Sequence, residues 1–144
     1  MVRSNLLSIF NSGSTSDTLG FAEDFSKRLK AGDLILLVGE IGSGKTTFLN
    51  GVLKGLGSKR RILSSSFVLM SVYKAKRFNL IHFDFYRIKG RYDFLEIVEY
   101  LSGNNVVAIE WPYNIEPYIR FHPYVVRIYF IDENSRKIEV VKYE

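Results

Sequence analysis

The chain has 144 residues, of which 47% are hydrophobic and 15% aromatic, so its composition predicts one packed domain over residues 1–144 rather than a disordered protein. Cysteine is absent, which excludes a disulfide framework, a cysteine-based zinc site and a cysteine nucleophile. The longest purely apolar run, Leu34–Val38, is too short to cross a bilayer, and we expect a soluble, cytoplasmic protein. The net charge of +5 suits a phosphate or RNA ligand, but short basic clusters are also typical of solvated loops.

The first part of the sequence predicts a strand, a helix and a second strand. Residues 1–10 are strand-like, and Ser-Thr-Ser at 14–16 supplies side-chain oxygens for a helix start. Apolar residues then recur at three- and four-residue spacing, as in an amphipathic helix: Leu19, Ala22, Phe25 and Leu29. We expect this helix to end at Gly32, because glycine accepts the left-handed conformation of a helix cap. Leu34–Val38 is apolar without alternation, which predicts a central strand covered on both faces.

The rest of the sequence continues to alternate between helical and strand-like segments. A second apolar helical face, closed by Gly57, consists of Phe48, Leu49, Val52, Leu53 and Leu56. Further strand-like runs lie at residues 67–73, 80–86 and 106–109. Residues 125–131 and 137–142 are spaced as a hairpin. The predicted fold class is α/β, with a central, mostly parallel sheet flanked by helices and a C-terminal antiparallel hairpin.

A glycine-rich loop links the strand Leu34–Val38 to the second predicted helix. It reads, in order, Gly39, Glu40, Ile41, Gly42, Ser43, Gly44, Lys45 and Thr46, and Thr47 follows. Glycine, four residues and Gly-Lys-Thr between a strand and a helix is the pattern of a phosphate-binding loop. The glycines let successive N–H groups point at an anion, and the helix adds the positive end of its dipole. We expect Lys45 to bind the β- and γ-phosphates and the Thr46 hydroxyl to hold Mg²⁺.

Two carboxylates at the ends of predicted strands are candidates for the metal site and for orienting the attacking water. Glu110 directly follows residues 106–109, and a parallel strand would deliver it to the carboxyl edge of the sheet, where ligands of open α/β sheets bind. Asp84 shares a strand face with His82, which we expect to be a hydrogen-bonded packing residue. The predicted catalytic residues are Lys45, Asp84 and Glu110, and the predicted metal ligands are Thr46, Asp84 and Glu110.

Short motifs outside the glycine loop extend over nearly the whole chain. They are Thr-Leu-Gly at 18–20, Gly-Asp at 32–33, the segment 64–69, His-Phe-Asp-Phe-Tyr-Arg at 82–87 and Glu-Trp-Pro at 110–112. The loop alone is shared by a very large class of proteins, whereas the last two motifs in this order are far more specific. With them the sequence resembles the TsaE family, also called YjeE, of small bacterial P-loop ATPases that act in tRNA threonylcarbamoyladenosine synthesis.

The resemblance implies a P-loop NTPase-like fold and an ATPase that supports the modification together with TsaD and TsaB, reaching tRNA indirectly through that complex. It gives Glu110 the place of the family's magnesium-site glutamate and Asp84 that of the acidic residue needed for hydrolysis. It also implies a switch-like segment at 64–67, in which Ser66 keeps a hydroxyl where the family has threonine, and a nucleotide contact near Arg136. We expect slow hydrolysis by the isolated chain, because no arginine finger is evident, and completion of the site by a partner.

The nucleotide and the reaction leave alternatives open. No Asn-Lys-x-Asp element, which reads guanine in GTP-binding families, occurs in the sequence, so ATP with Mg²⁺ is favoured over GTP. A small-molecule kinase shares the loop and a similar length, and a non-catalytic module that responds to ATP would share the loop as well. The positive charge also suggests a direct RNA-binding protein, which would bind tRNA in a salt-dependent way without ATP.

Overall fold

The computed structural model describes residues 2–63, 68–89 and 94–144. Its strands and α-helices in chain order are β1 (Ser4–Ser12), α1 (Thr15–Phe25), β2 (Leu34–Val38), α2 (Lys45–Gly55), β3 (Met70–Tyr73), β4 (Asn79–Asp84), α3 (Phe94–Tyr100), β5 (Asn105–Glu110), β6 (Tyr124–Phe130) and β7 (Arg136–Tyr143). Short 3-10 helices cover Ser26–Arg28 and Glu116–Phe121. No helix within these three ranges has the length and apolar character needed to span a membrane.

The seven strands form one sheet in the order β1-β7-β6-β2-β5-β4-β3. The four central strands, β6, β2, β5 and β4, are parallel to one another. Antiparallel strands complete both edges, with β3 on β4 at one side and β7 and then β1 beyond β6 at the other. The predicted α/β class and C-terminal hairpin are confirmed. The sheet is parallel at its centre, as predicted, but mixed as a whole because its edge strands are antiparallel.

Strand β2 lies at the middle of the molecule because both of its faces are covered. Ile35 and Leu37 pack with α1 and α2 in one apolar cluster. Leu34 and Leu36 pack in a second cluster, on the face covered by α3 and the 3-10 helix Glu116–Phe121. All four side chains are fully buried. This is the reason why the strand is apolar without alternation, as the sequence predicts.

The first helix starts where the sequence predicts but ends earlier. Ser14 is its N-cap and accepts a hydrogen bond from the N–H of Asp17. The α-helix stops at Phe25 and tightens into a 3-10 turn, so the expected end at Gly32 is wrong. The cause is tertiary, because the Arg77 guanidinium donates to the carbonyl of Ser26, 51 residues away, and holds the tightened turn. Leu29 nevertheless packs in the core.

The predicted limits of two strands also change. Strand β4 ends at Asp84 rather than continuing to residue 86, because the Asp84 carboxylate accepts a hydrogen bond from the N–H of Tyr86 and turns the chain. Strand β3 begins at Met70, and the first residue expected in it, at position 67, lies outside the described residues. Helix α2 is closed by Gly57, as expected, with a φ of +96° that glycine adopts without strain.

Candidate phosphate-binding site

The glycine loop leaves the carboxyl end of β2 and enters α2 directly. Gly42 and Gly44 have φ angles of +80° and +104°, a region that side chains make costly. A Cβ atom on Gly39 would lie 2.5 Å from Oγ of Ser43 and 2.7 Å from the carbonyl oxygen of Ile128, so only glycine fits between the loop and β6. Because α2 begins at Lys45, its free N–H groups and its positive dipole end face the loop.

The Lys45 ammonium group is buried at the centre of this arrangement, with only 6% of the residue exposed. It donates to the carbonyl oxygens of Gly39 at 2.5 Å and Glu40 at 3.0 Å. It also lies 4.2 Å from the centre of the Trp111 ring. Burial lowers the pKa of Lys45, while the negative charges of Glu110 and Asp84 oppose that shift. The site thus places one cation among carbonyls, an aromatic face and two carboxylates.

Glu110 and Asp84 meet at the carboxyl ends of neighbouring parallel strands. Their Cα atoms are paired in the register between β4 and β5, and Glu110 is paired with Leu37 of β2, two residues before the loop. Glu110 therefore lies on the strand next to the glycine loop, and Asp84 lies one strand further away. Glu110 is 5% exposed, which is rare for a carboxylate and requires a partner.

His82 supplies that partner. Its Nε2–H donates to Oε2 of Glu110 at 2.8 Å, and the histidine is itself 8% exposed. The expectation of a hydrogen-bonded histidine is confirmed, but the sequence did not indicate that its acceptor would be the candidate metal ligand. The signal that could have found this pair is the register of two parallel strands that end together, because His82 precedes Asp84 by two residues on the same face.

Asp84 is half-buried beside this pair. Burial raises the pKa of the Asp84 carboxyl; the hydrogen bond from the N–H of Tyr86 opposes the rise, and the charge of Glu110 adds to it. A carboxyl group with a raised pKa at a strand end is a candidate for accepting a proton or orienting water.

The residues expected to hold Mg²⁺ fit an ion that is shared with phosphate. No group of three or more His, Asp or Glu side chains within the described ranges could hold a metal ion without further ligands. Mg²⁺ typically takes one or two carboxylates together with waters and substrate phosphates, which matches Thr46, Glu110 and Asp84. The buried hydroxyl of Ser43 has no hydrogen-bond partner among the described residues, which indicates a polar ligand at the loop.

An aromatic segment with unusual backbone geometry follows Glu110. Trp111 and Tyr113 both have positive φ angles, 58° and 61°, on either side of Pro112. Bulky residues adopt this conformation only where the surroundings impose it, and such strain collects at functional sites. The Tyr113 hydroxyl donates to the carbonyl of Tyr86 at 2.8 Å, and the rings of Trp111 and Tyr86 lie 5.0 Å apart. The segment holds the Trp111 ring against Lys45.

The remaining predicted residues take different positions. Ile41 is the exposed tip of the loop, Glu40 is exposed beside it, and Thr46 and Thr47 lie half-buried in the first turn of α2. Ser66 and the segment 64–67 lie outside the described residues, so the predicted switch stays a prediction. The Arg136 guanidinium donates to backbone carbonyls of the loop.

A cavity of about 750 Å³ adjoins the loop on the α3 side of the sheet. Val38 and Ile115, which border it, pack in the same apolar cluster as Leu34 and Leu36. Its other walls include Glu40, Trp111, Tyr113, Arg127 and Tyr129. A ligand held by the loop therefore has a large, mainly apolar space next to it.

Strand, glycine loop, helix and two carboxylates on neighbouring strands define the class of P-loop nucleotide-binding proteins. Within this class, the family model described as "Threonylcarbamoyl adenosine biosynthesis protein TsaE" matches residues 12–138, and the chain belongs to the TsaE family.

Individual relatives agree with this assignment. The chain is 35% identical over 132 residues to "tRNA threonylcarbamoyladenosine biosynthesis protein TsaE" of Rickettsia typhi, covering 90% of this chain and 91% of the relative. A protein of the same name from Aquifex aeolicus is 32% identical over 131 residues, covering 90% and 92%. The crystal structure of YdiB from Bacillus subtilis superposes with a TM-score of 0.75 at 27% identity, covering 99% of this chain and 87% of YdiB.

Proposed function

We propose that this chain is an Mg²⁺-dependent ATPase that supports threonylcarbamoyladenosine modification of tRNA. The observation that carries the proposal is the convergence of Lys45, Glu110 and Asp84 beside a loop whose glycines leave room for phosphate. The names of the relatives from Rickettsia typhi and Aquifex aeolicus support the pathway.

Each residue has a task that follows from its position. Lys45 and the N–H groups of the loop neutralise the charge that develops on the γ-phosphate. Thr46 and Glu110 would hold Mg²⁺, which when bound adds positive charge at the phosphate oxygens. Hydrolysis forms a bond from a water oxygen to the γ-phosphorus and breaks the bond from that phosphorus to the oxygen that bridges to the β-phosphate. ADP leaves with that oxygen, and the proton that the water loses passes to an oxygen of the released phosphate. Asp84, with its raised pKa, orients that water and accepts hydrogen bonds from it.

The partners proposed are homologues of TsaD and TsaB, and tRNA is reached through their complex. A phosphate loop with its lysine binds and polarises ATP, but rapid hydrolysis in this class commonly needs a further positive charge supplied by a partner. We therefore expect the isolated chain to turn over slowly and the partners to accelerate it.

Phosphate release from ATP tests the proposal. The wild-type chain should release phosphate only with Mg²⁺, faster with TsaD and TsaB homologues, and Lys45→Ala should reduce the rate about 100-fold or more. Lys54→Ala is the matched control, because Lys54 lies on the same helix and its side chain is 71% exposed. Equal rates for the two variants would contradict the proposal.

Two outcomes would favour other functions that share the loop. Transfer of the γ-phosphoryl group to a metabolite rather than to water would indicate a small-molecule kinase. If Asp84→Ala and Glu110→Ala changed nothing beyond ATP affinity, the chain would be a binding module that responds to ATP. Restoration of tRNA modification in a reaction with TsaD and TsaB homologues, lost with Lys45→Ala, would separate the proposed function from both.

A further inference from the structure

Arg136, the first residue of β7, connects the β6–β7 hairpin to the glycine loop. Its Nε donates to the carbonyl oxygen of Ser43 and its Nη2 to that of Gly42, both at 3.0 Å. Nη1 donates within the hairpin, to the carbonyl oxygens of Asp132 at 2.6 Å and Ser135 at 2.8 Å. All three guanidinium nitrogens are therefore bonded to backbone carbonyls.

The hairpin holds the guanidinium in this position. The Phe130 ring, at the end of β6, lies 4.6 Å from the guanidinium carbon. The Asp132 carboxylate accepts hydrogen bonds from the N–H groups of Asn134 and Ser135, both at 2.9 Å, which fixes the turn that presents two of the carbonyls. The Arg136 side chain is thus fixed by contacts within the hairpin, in addition to its hydrogen bonds to the loop.

By bonding the Ser43 carbonyl, Arg136 also fixes the direction of the N–H group in the same peptide unit. A trans peptide is planar, with its C=O and N–H pointing in opposite directions. Because the Ser43 carbonyl points at Arg136, the N–H of Gly44 points away from Arg136. Gly44 is the N-cap of α2, where N–H groups bind anions. A charged donor on the carbonyl also polarises the peptide and strengthens its N–H as a donor.

We propose that Arg136 is a positioning residue of the phosphate loop, which fixes the carbonyls of Gly42 and Ser43 so that the N–H of Gly44 stays directed at phosphate, and that it does not contact the nucleotide. This differs from the nucleotide contact near Arg136 that the family resemblance implies. The N–H of Ser43, opposite the Gly42 carbonyl, donates to the carbonyl of Glu40 at 3.0 Å and braces the loop from within. The inference rests on the proposed function, because it takes the loop to be the phosphate site.

Backbone amides of the nucleotide-free chain give the direct test. We expect Arg136→Gln and Arg136→Lys to change the ¹⁵N shifts and speed hydrogen exchange of the amides of Gly42, Ser43 and Gly44 before any ligand is added. Lys137→Gln is the matched control, because it removes one positive charge from the neighbouring residue, whose ammonium lies 5.6 Å from the Tyr129 ring. Unchanged loop amides in both Arg136 variants would overturn the proposal.

Ligand affinity separates positioning from direct contact. Arg136→Gln should weaken Mg-ATP and inorganic tripolyphosphate alike, by about tenfold, since both rely on the same loop amides. Arg136→Lys should stay weakened for both ligands, because an ammonium group lacks the planar fork that serves two carbonyls at once. Recovery of full affinity with lysine, or a loss for ATP alone, would indicate a direct contact and overturn the proposal.

A milder variant guards against loss of the fold. Phe130→Leu removes the ring beneath the guanidinium and leaves every hydrogen bond of Arg136 possible, so we expect an intermediate change in loop amides and affinity. If the wild-type chain bound neither Mg-ATP nor tripolyphosphate, the proposed function would fail. The amide measurement on nucleotide-free protein would still decide whether Arg136 orders the loop.

Discussion

Asp84 is a residue at which stability and activity are expected to oppose each other. Burial raises the pKa of its carboxyl, the hydrogen bond from Tyr86 opposes the rise, and Glu110 adds to it. Since the folded-state pKa exceeds the unfolded one, the folded chain binds this proton more tightly. The stability that this group contributes is therefore full at low pH and is lost as the pH rises through the folded-state pKa.

Asp84→Asn removes the cost of the ionised carboxylate. We expect the variant to unfold at a higher temperature than the wild type at about pH 8. This gain should shrink as the pH falls toward the ordinary aspartate pKa of about 3.9, because the wild-type carboxyl takes up its proton as the pH falls. Its ATP hydrolysis should fall at the same time, because stabilised sites often lose function. Thermal unfolding across the pH range measures the effect, with Asp24→Asn at an exposed position as the control. A gain that does not depend on pH would contradict this account.

His82 stabilises the fold through Glu110. In His82→Phe the buried Glu110 carboxylate loses its only side-chain donor among the described residues, and we expect the free energy of unfolding to fall by about 1–3 kcal/mol. Urea unfolding measures the loss. In a Glu110→Gln background the same change should cost clearly less, because the carboxylate that needs the donor is gone. Equal costs in both backgrounds would mean that His82 acts by packing alone.

At the scale of elements, the close approach of α1 and α2 sets the position of the phosphate loop. A Cβ atom on Gly51 of α2 would lie 2.6 Å from both the Cβ of Ala22 and the carbonyl oxygen of Leu19 in α1. A Cβ atom on Gly20, also in α1, would meet nothing within 4 Å. Because Lys45 is the first residue of α2, a change in the distance between α1 and α2 would displace Lys45 in the site.

These two glycines form a matched pair of variants. Both replacements by alanine gain about 0.5–1 kcal/mol of helix propensity, so their difference isolates the contact between the helices. Gly20→Ala should stabilise the chain by that amount, whereas Gly51→Ala should destabilise it by about 1–3 kcal/mol and weaken Mg-ATP binding. Urea unfolding checks the first result and calorimetry the second. Similar stability in both variants would show that the helices separate without cost.

At the scale of the whole molecule, the sequence predicts those elements that depend only on residues close together in the chain. Strand β2 and the start of α2 follow from a run of apolar residues and the Gly-Lys-Thr pattern, and both are confirmed. The strand order depends on which strands lie side by side, which no local pattern states. The predicted end of α1 was wrong because Arg77, from the connection between β3 and β4, donates a hydrogen bond to the carbonyl of Ser26.

In the candidate site, too, some residues could be predicted from the sequence, whereas contacts between distant residues could not. Lys45 and Glu110 could be named because each directly follows a recognisable glycine or strand, and Asp84 because alternation puts it on one face of a predicted strand. The bond between His82 and Glu110 could not, since it depends on the register of β4 and β5. The contact of Arg136 with the Ser43 carbonyl joins residues 93 positions apart and requires the hairpin to be folded against the loop.

Nucleotide binding should therefore change stability and hydrogen exchange beyond the loop itself. Mg-ATP at about 100 times its Kd should raise the free energy of unfolding by about 2.7 kcal/mol by mass action. In hydrogen exchange we expect added protection in two separated regions, residues 39–47 and the hairpin tip at residues 131–136, because Arg136 bonds both. The edge strand β3 lies at the far side of the sheet and should change little.

Lys45→Ala is the control for this experiment, because it should abolish protection in both regions together. In Arg136→Gln, Mg-ATP at the same multiple of its own Kd should still protect residues 39–47, while the hairpin tip should lose its added protection. Among the described residues, the hydrogen bonds between the tip and the loop come from the Arg136 guanidinium. This variant therefore separates binding of Mg-ATP at the loop from the effect of that binding on the hairpin tip. Protection of the tip that survives Arg136→Gln would show that the loop and the hairpin are coupled through the packing of Gly39 against Ile128 instead.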